Sequence, residues 1–351
     1  MDMLADTLTV ILAQVQKPTL AFLIGGMLLA AMNSRFEIPE PVYKFIVILL
    51  LLKVGIGAGI SVRQANLLEL AIPAVAAVLV GVGIVLLGSG TIARWRGVSH
   101  MDGMATAGLF GAVSASTLAA GMAMLDDEGI AYEGFIGALY PFMDIAALVT
   151  AIVLARLAAE CRAAAAGPAG GGVAVAAAGF GPGPGGGLVR SILVDTIRSP
   201  AISALLVGLA LGIFARPDSV YDSFYEPLFR GLLSILMLVM GMEAWSRLSD
   251  LRKVAHAYLL YGLLAPVVHG GLGFAAGVAV HHLTGFSAGG VVLLAVMAAS
   301  SSDISGPPTL RAALPEANPS AYIGTSTGLG TPVAILSIPV FIALADAVIG
   351  F

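Results

Sequence analysis

The sequence predicts an all-α polytopic membrane protein of about ten transmembrane helices, in two inverted five-helix repeats whose fourth and ninth helices are broken. Three observations predict it. Of 351 residues, 58% are hydrophobic and 11% charged, with a mean hydropathy of +0.98, far more apolar than a soluble globular chain. Long apolar segments alternate with short turns bearing Pro, Gly and charge. The two halves also resemble each other: Glu40, Pro41, Lys44 and Gly55 fall on Glu226, Pro227, Arg230 and Gly241, since 226 minus 40 and 241 minus 55 both give 186. An odd number of spans per half makes the halves enter the membrane from opposite sides.

In chain order, Leu4, Leu8, Ile11, Leu12 and Val15 recur at helical spacing and predict a short amphipathic helix lying at the interface. Acids rather than a basic region precede it, which argues against a cleaved signal peptide. The first five spans are read at 19–33, 38–60, 65–91, 103–125 and 132–158. The next five are read at 199–215, 222–246, 255–283, 289–314 and 319–349. Pro18 opens span one as Pro200 opens span six. Span two, EPVYKFIVILLLLKVGIG, is matched by span seven, EPLFRGLLSILMLVMGME, and carries Lys53, which either snorkels or pairs with a carboxylate. Residues 161–190 are too rich in Gly and Pro to hold a helix and are read as a flexible linker, so the chain divides into 1–160, 161–190 and 191–351.

Basic residues set the orientation. Arg35, Lys44, Arg94, Arg96, Arg156, Arg162, Arg190, Arg198, Arg247, Arg252, Lys253 and Arg311 gather on one face, which the positive-inside rule makes cytoplasmic. Both termini and the acidic Asp126, Asp127 and Glu128 turn then lie outside. A net charge of -4 offers no basic field for nucleic acid. Cys161 stands alone, which excludes an intrachain disulfide and a cysteine-based metal site.

The chemistry concentrates in span nine, where AASSSDISGPPTL interrupts an apolar run with four serines, a carboxylate and adjacent prolines. Backbone freed by Pro307 and Pro308 survives at membrane depth only if buried in protein or lining a polar cavity. Span four repeats this logic in GLFGAVSASTLAAG, and the offset of 191 puts Ser114 opposite Ser305 and Pro141 opposite Pro332. Read alone, span four is a packing helix with hydroxyls bonded one turn back; read with the repeat, it is half of a site. Two helices broken near the midplane present unpaired N–H groups suited to an anion and unpaired carbonyls suited to a cation. Ser305 or Gly306 caps the restarting helix of span nine, and Ser114 and Ser116 do the same in span four. The anion set is therefore Ser114, Ser116, Thr117, Ser301, Ser302, Ser305 and Gly306. For a hard cation, sodium rather than a proton, the set is Asp303, Asp144, Ser300 and Ser302. Asp144 follows Pro141, which kinks span five; a hydrogen bond across helices is the other reading of this residue. Glu243 and Trp245 are assigned to the interface, His269 to satisfied packing, and His281 and His282 to a span end without metal-ligand spacing. No nucleotide loop, nucleophile elbow or zinc motif marks an enzyme.

The stretches GALYPFMDI, EPLFRGLLSILMLVMGMEAWSRL, ASSSDISGPPTLRA and NPSAYIG resemble the sodium-dependent bicarbonate transporter family known from cyanobacteria and other bacteria. The resemblance implies sodium-coupled uptake of bicarbonate across the cytoplasmic membrane in support of carbon fixation, with sodium as coupling ion and no cofactor. It further implies a homotrimer, with a gate part from spans one, two, six and seven, a core part from the rest, and a PII-like regulatory protein able to bind the cytoplasmic face. The serine-rich breaks at 114–117 and 300–305 become the expected substrate and sodium region. The linker departs from the family in being almost only Ala, Gly and Pro where a charged segment is usual. A sodium symporter for another small anion and a bicarbonate-binding membrane sensor are the alternatives.

Overall fold

The computed structural model describes residues 18–64, 67–165, 197–251 and 256–351, with isolated positions 16, 190 and 194. The amphipathic segment and most of the linker lie outside the described residues, which contain helices and loops and no strand. The helices are α1 (Pro18–Ala31), α2 (Glu40–Gln64), α3 (Leu67–Gly90), α4 (His100–Gly111), α5 (Ala115–Glu128), α6 (Tyr140–Ala165) and α7 (Pro200–Phe214). They continue with α8 (Glu226–Leu251), α9 (His256–Thr284), α10 (Ala288–Ala299), α11 (Gly306–Ala313), α12 (Pro319–Thr325) and α13 (Thr331–Val348). Among the described residues, seven stretches are long and apolar enough to cross a membrane, and Pro18–Ala31, Pro200–Phe214 and Ala288–Ala299 are shorter apolar helices. This is a multi-pass membrane protein.

Local sequence explains where helices begin. Ser99, Ser199, Ser287 and Asn318 each stand at an N-cap and accept a backbone N–H from Asp102, Ile202, Gly290 and Ser320. Pro200 and Pro319 follow their caps, where a missing N–H costs nothing. Two expectations shift. The acidic triplet at 126–128 is the last turn of α5, closed by Gly129 at φ 68°. Helix α6 runs to Ala165, past Cys161, at which the expected linker begins.

Packing separates two sets of helices. Within the first, α2 lies on α7 and α1 on α8. These crossings require glycine, because a Cβ at Gly26 would overlap the Leu238 carbonyl and one at Gly241 the Leu23 carbonyl. In the second set α3, α4 and α6 pack together, as do α9, α10 and α13. Leu79, Leu264 and Val340 stay exposed on outward faces, as apolar surfaces against lipid do.

Polar contacts sort helix ends into two groups. At one end Arg63 pairs with Asp218 at 3.0 Å, Arg230 pairs with Asp127, and Ser287 donates its N–H (2.6 Å) and hydroxyl (2.8 Å) to the Glu133 carboxylate. At the other, Arg156 donates to the Ala313 carbonyl (2.9 Å) and Asn318 N–H to the Asp102 carboxylate (2.6 Å). Lys53 is buried and pairs with Glu226 at 3.1 Å, with Phe229 4.2 Å beneath its ammonium.

Candidate functional site

Two helix breaks face each other. Helix α4 ends at Gly111 and α5 restarts at Ala115; α10 ends at Ala299 and α11 restarts at Gly306. The breaks satisfy one another's backbone. Ser302 N–H donates to the Leu109 carbonyl (2.8 Å), an orphan acceptor in the last turn of α4. Ser114 N–H donates to Ser300 Oγ (2.9 Å), whose own proton goes to the Met297 carbonyl (2.7 Å). Buried backbone polar groups at this depth would otherwise cost several kcal/mol each, so the crossing is fixed by mutual need.

Around the crossing lie three hydroxyl clusters. In the first, Asp303 Oδ2 accepts from Ser116 (2.7 Å) and Ser114 (3.2 Å), and Ser114 Oγ caps α5 by accepting from Thr117 N–H (3.1 Å) and hydroxyl (3.0 Å). Asp303 Oδ1 is buried and has no hydrogen-bond partner among the described residues. In the second, Asp144 is fully buried and its carboxylate accepts from Val113 N–H (3.1 Å) and Ser305 Oγ (3.0 Å), with Tyr140 3.5 Å from Ser305. Ser302 Oγ lies 2.9 Å from Ser305 Oγ and accepts from Gly306 N–H (2.9 Å), so Ser302 rather than Ser305 supplies the side-chain acceptor at the start of α11. The third holds Ser301, with Ser326 and Thr331.

The residues of the expected anion and cation sets gather around the crossing, but in different clusters. Asp303 sits with Ser114, Ser116 and Thr117; Asp144 sits with Ser302, Ser305 and Gly306; Ser300 joins the two breaks. No hydrogen bond links the two carboxylates. Pro141 lies in the first turn of α6 after a 3-10 segment at Gly134–Leu139, so its effect is a change of helix type rather than a mid-helix kink. His269 packs edge-on against Phe110 and Tyr261, yet its Nδ1 has no partner among the described residues, which departs from the expectation of a satisfied histidine. Sequence reasoning missed Tyr140, Ser326 and Thr331. The stretch TSTGLGTP carried the signal, being rich in hydroxyls and glycine immediately before Pro332, the counterpart of Pro141.

A cavity of about 680 Å³ reaches Asp303 and is lined also by Glu40, Tyr43, Lys44, Pro200, Glu243, Pro307, Pro308 and Arg311. A smaller one of about 290 Å³ is lined by Pro18, Thr19, Ala123, Asp127, Arg230, Leu233 and Ser234. It opens beside the Arg230–Asp127 pair and has no residue of either break in its wall. No group of three His, Cys, Asp or Glu side chains among the described residues is placed to hold a metal ion.

Comparison with curated protein sequences returns no match. The family model of the Na+-dependent bicarbonate transporter superfamily matches residues 18–346, from the start of α1 through both breaks into the last turn of α13, and the chain belongs to that superfamily.

Proposed function

We propose that this protein is a sodium-coupled bicarbonate symporter of the cytoplasmic membrane that imports inorganic carbon by alternating access, with anion and cation bound together at the crossed breaks. The observation that carries the reading is the large cavity ending on Asp303, whose Oδ1 is buried without a hydrogen-bond partner among the described residues. A bare carboxylate oxygen at membrane depth calls for a cation. Sodium loads first, because its charge offsets Asp303 and lowers the cost of bringing bicarbonate to the hydroxyls and N–H groups of the restarting helices α5 and α11.

Alternating access draws its support from the two clefts. Their linings correspond in part under the repeat: Lys44, Val47 and Ile48 of the large cleft fall on Arg230, Leu233 and Ser234 of the small one, since 230 minus 44 and 234 minus 48 both give 186. One of the two clefts reaches the site and the other does not, the arrangement expected when an inverted repeat occupies one of two mirror states. The open cleft bears Lys44 and Arg311, so the positive-inside rule makes this state inward-facing. In this reading α1, α2, α7 and α8 form the gate part and the other helices the core that carries the breaks.

The test is bicarbonate uptake by Asp303→Asn in proteoliposomes across a series of sodium concentrations. The expected result is loss of sodium-stimulated uptake in folded protein. Unchanged sodium dependence contradicts the role given to Asp303.

A further inference from the structure

Between α12 and α13 the chain winds through one π turn, Ser326–Gly330, after which α13 restarts at Thr331 with Pro332 in its first turn. Across this turn Thr331 N–H donates to the Ser326 carbonyl, which leaves that oxygen a second lone pair, and such turns recur at functional sites. Ser301, Ser302, Ser326 and Thr331 are all fully buried there. Their oxygens converge. Ser301 Oγ lies 3.3 Å from the Ser326 carbonyl and 3.4 Å from Thr331 Oγ1, and Thr331 Oγ1 lies 3.4 Å from the same carbonyl. Ser326 Oγ lies 2.9 Å from Ser301 Oγ and 3.4 Å from the Ser302 carbonyl.

Two features separate this group from an ordinary hydrogen-bonded cluster. First, the contacts outnumber the protons: Ser301, Ser326 and Thr331 bring one O–H each, yet five oxygen pairs lie within 3.4 Å. Three protons cannot give each of the five pairs its own two-centre hydrogen bond, so oxygen lone pairs are left over in the group. Second, Ser301 Oγ, Thr331 Oγ1 and the Ser326 carbonyl form a nearly equilateral triangle. The face of an octahedral oxygen shell at about 2.4 Å from its ion, the range of calcium and of the similarly sized sodium, has edges of about 3.4 Å. The oxygens are neutral, which suits a monovalent ion; a divalent one calls for carboxylates. Potassium, being larger, needs a wider triangle. The Ser302 carbonyl follows the C-terminal, electronegative end of α10. A Cβ at Gly330 would stand 2.7 Å from Phe110 Cζ and 3.0 Å from Ser301 Oγ, so only glycine lets this turn close on Ser301.

We propose that Ser301, Ser326 and Thr331, with the carbonyl oxygens of Ser302 and Ser326, form a second sodium site, neutral and separate from Asp303. It rests on the sodium-coupled reading above. Ser302 ties it to transport, because its carbonyl faces this site while its hydroxyl and N–H hold the crossing. Filling it stiffens the crossing from behind, so sodium here prepares the anion site without touching the anion.

The test is equilibrium binding of labelled sodium to the purified full chain in detergent, with thermal stabilisation by sodium against potassium as second readout. Wild type is expected to bind two sodium ions and Thr331→Val one. Thr331→Ser, which keeps the hydroxyl, restores the second. Asp303→Asn retains one ion, and that ion is lost on adding Ser301→Ala. Should Thr331→Val fail to fold, Ser301→Ala and Ser326→Ala, which only delete a hydroxyl, carry the same expectation. Equal stoichiometry and affinity in wild type and in the folded hydroxyl-deleted variants overturns the second site and leaves the symport reading standing. No sodium binding by folded wild type overturns both.

Discussion

In the alternating-access reading proposed above, removing the Arg230–Asp127 ion pair should loosen the small cleft by a calculable amount. The pair ties α8 of the first packing set to α5, which packs on α10 and α13 of the second, beside the small cavity. Lys44, at the position aligned with Arg230, pairs within its own helix with Glu40 (2.7 Å), in the wall of the large cavity. Arg230 is 60% exposed and Asp127 19%, so the value is that of a surface pair rather than a buried one. Exposed pairs contribute about 0.2–1 kcal/mol, which shifts a two-state equilibrium about 1.4- to 5-fold. The reporter is Ala123→Cys, a buried position in the wall of the small cleft, in a Cys161→Ala background and labelled from outside with an impermeant thiol reagent. Arg230→Ala and Asp127→Ala should each raise the labelling rate by that factor, and the double variant no further, because the two act through one contact. Lys44→Ala should leave the rate unchanged or lower it. Equal rates in wild type and both latch variants, or an equal rise in Lys44→Ala, would refute the reasoning.

Two stability predictions accompany it. Gly241→Ala places a methyl against the Leu23 carbonyl and should cost about 1–3 kcal/mol, whereas Gly231→Ala, whose methyl meets nothing within 4 Å, should be neutral or stabilising by up to about 1 kcal/mol. Melting temperatures in detergent check the pair, and equal values would contradict the close crossing of α1 and α8. Glu226→Gln strands the buried Lys53 ammonium and should cost about 1–3 kcal/mol, discounted below a fully buried pair because water reaches Glu226. Lys53→Met keeps the stem packed on Phe229 and leaves a carboxylate that is 49% exposed, so it should melt above Glu226→Gln. The reverse order would mean that Lys53 is not held by Glu226.

Much of the fold was legible because membrane insertion imposes length and composition on each helix. Every described helix falls on an apolar segment read from sequence, to within a few residues at most ends. The break at Ser300–Ser305 was legible from four serines, a carboxylate and two prolines in an apolar run, and the one at Ala112–Ser114 only through its repeat alignment with it, since span four alone also reads as a packing helix. What sequence could not supply was partnership. Asp144 and Asp303 look alike on paper, yet one is enclosed by Val113 and Ser305 while the other borders a cavity; that difference arises from which element lies opposite. Ser302 replaced Ser305 as the acceptor at α11 because the loop folds back by one turn, a matter of backbone angles rather than residue type. The π turn at Ser326–Gly330 was hidden inside a long apolar span, where the hydroxyl- and glycine-rich TSTGLGTP and the alignment of Pro332 with Pro141 hinted at it.

The central claim is tested most directly by uptake of labelled bicarbonate into proteoliposomes. An inward sodium gradient is compared with a matched potassium gradient at fixed pH, and carbon dioxide leakage is subtracted using protein-free vesicles. Sodium-coupled symport predicts accumulation above equilibrium with sodium and none with potassium, collapsing when the sodium gradient is dissipated. Equal uptake with both cations, or none in protein shown to be folded, would contradict it.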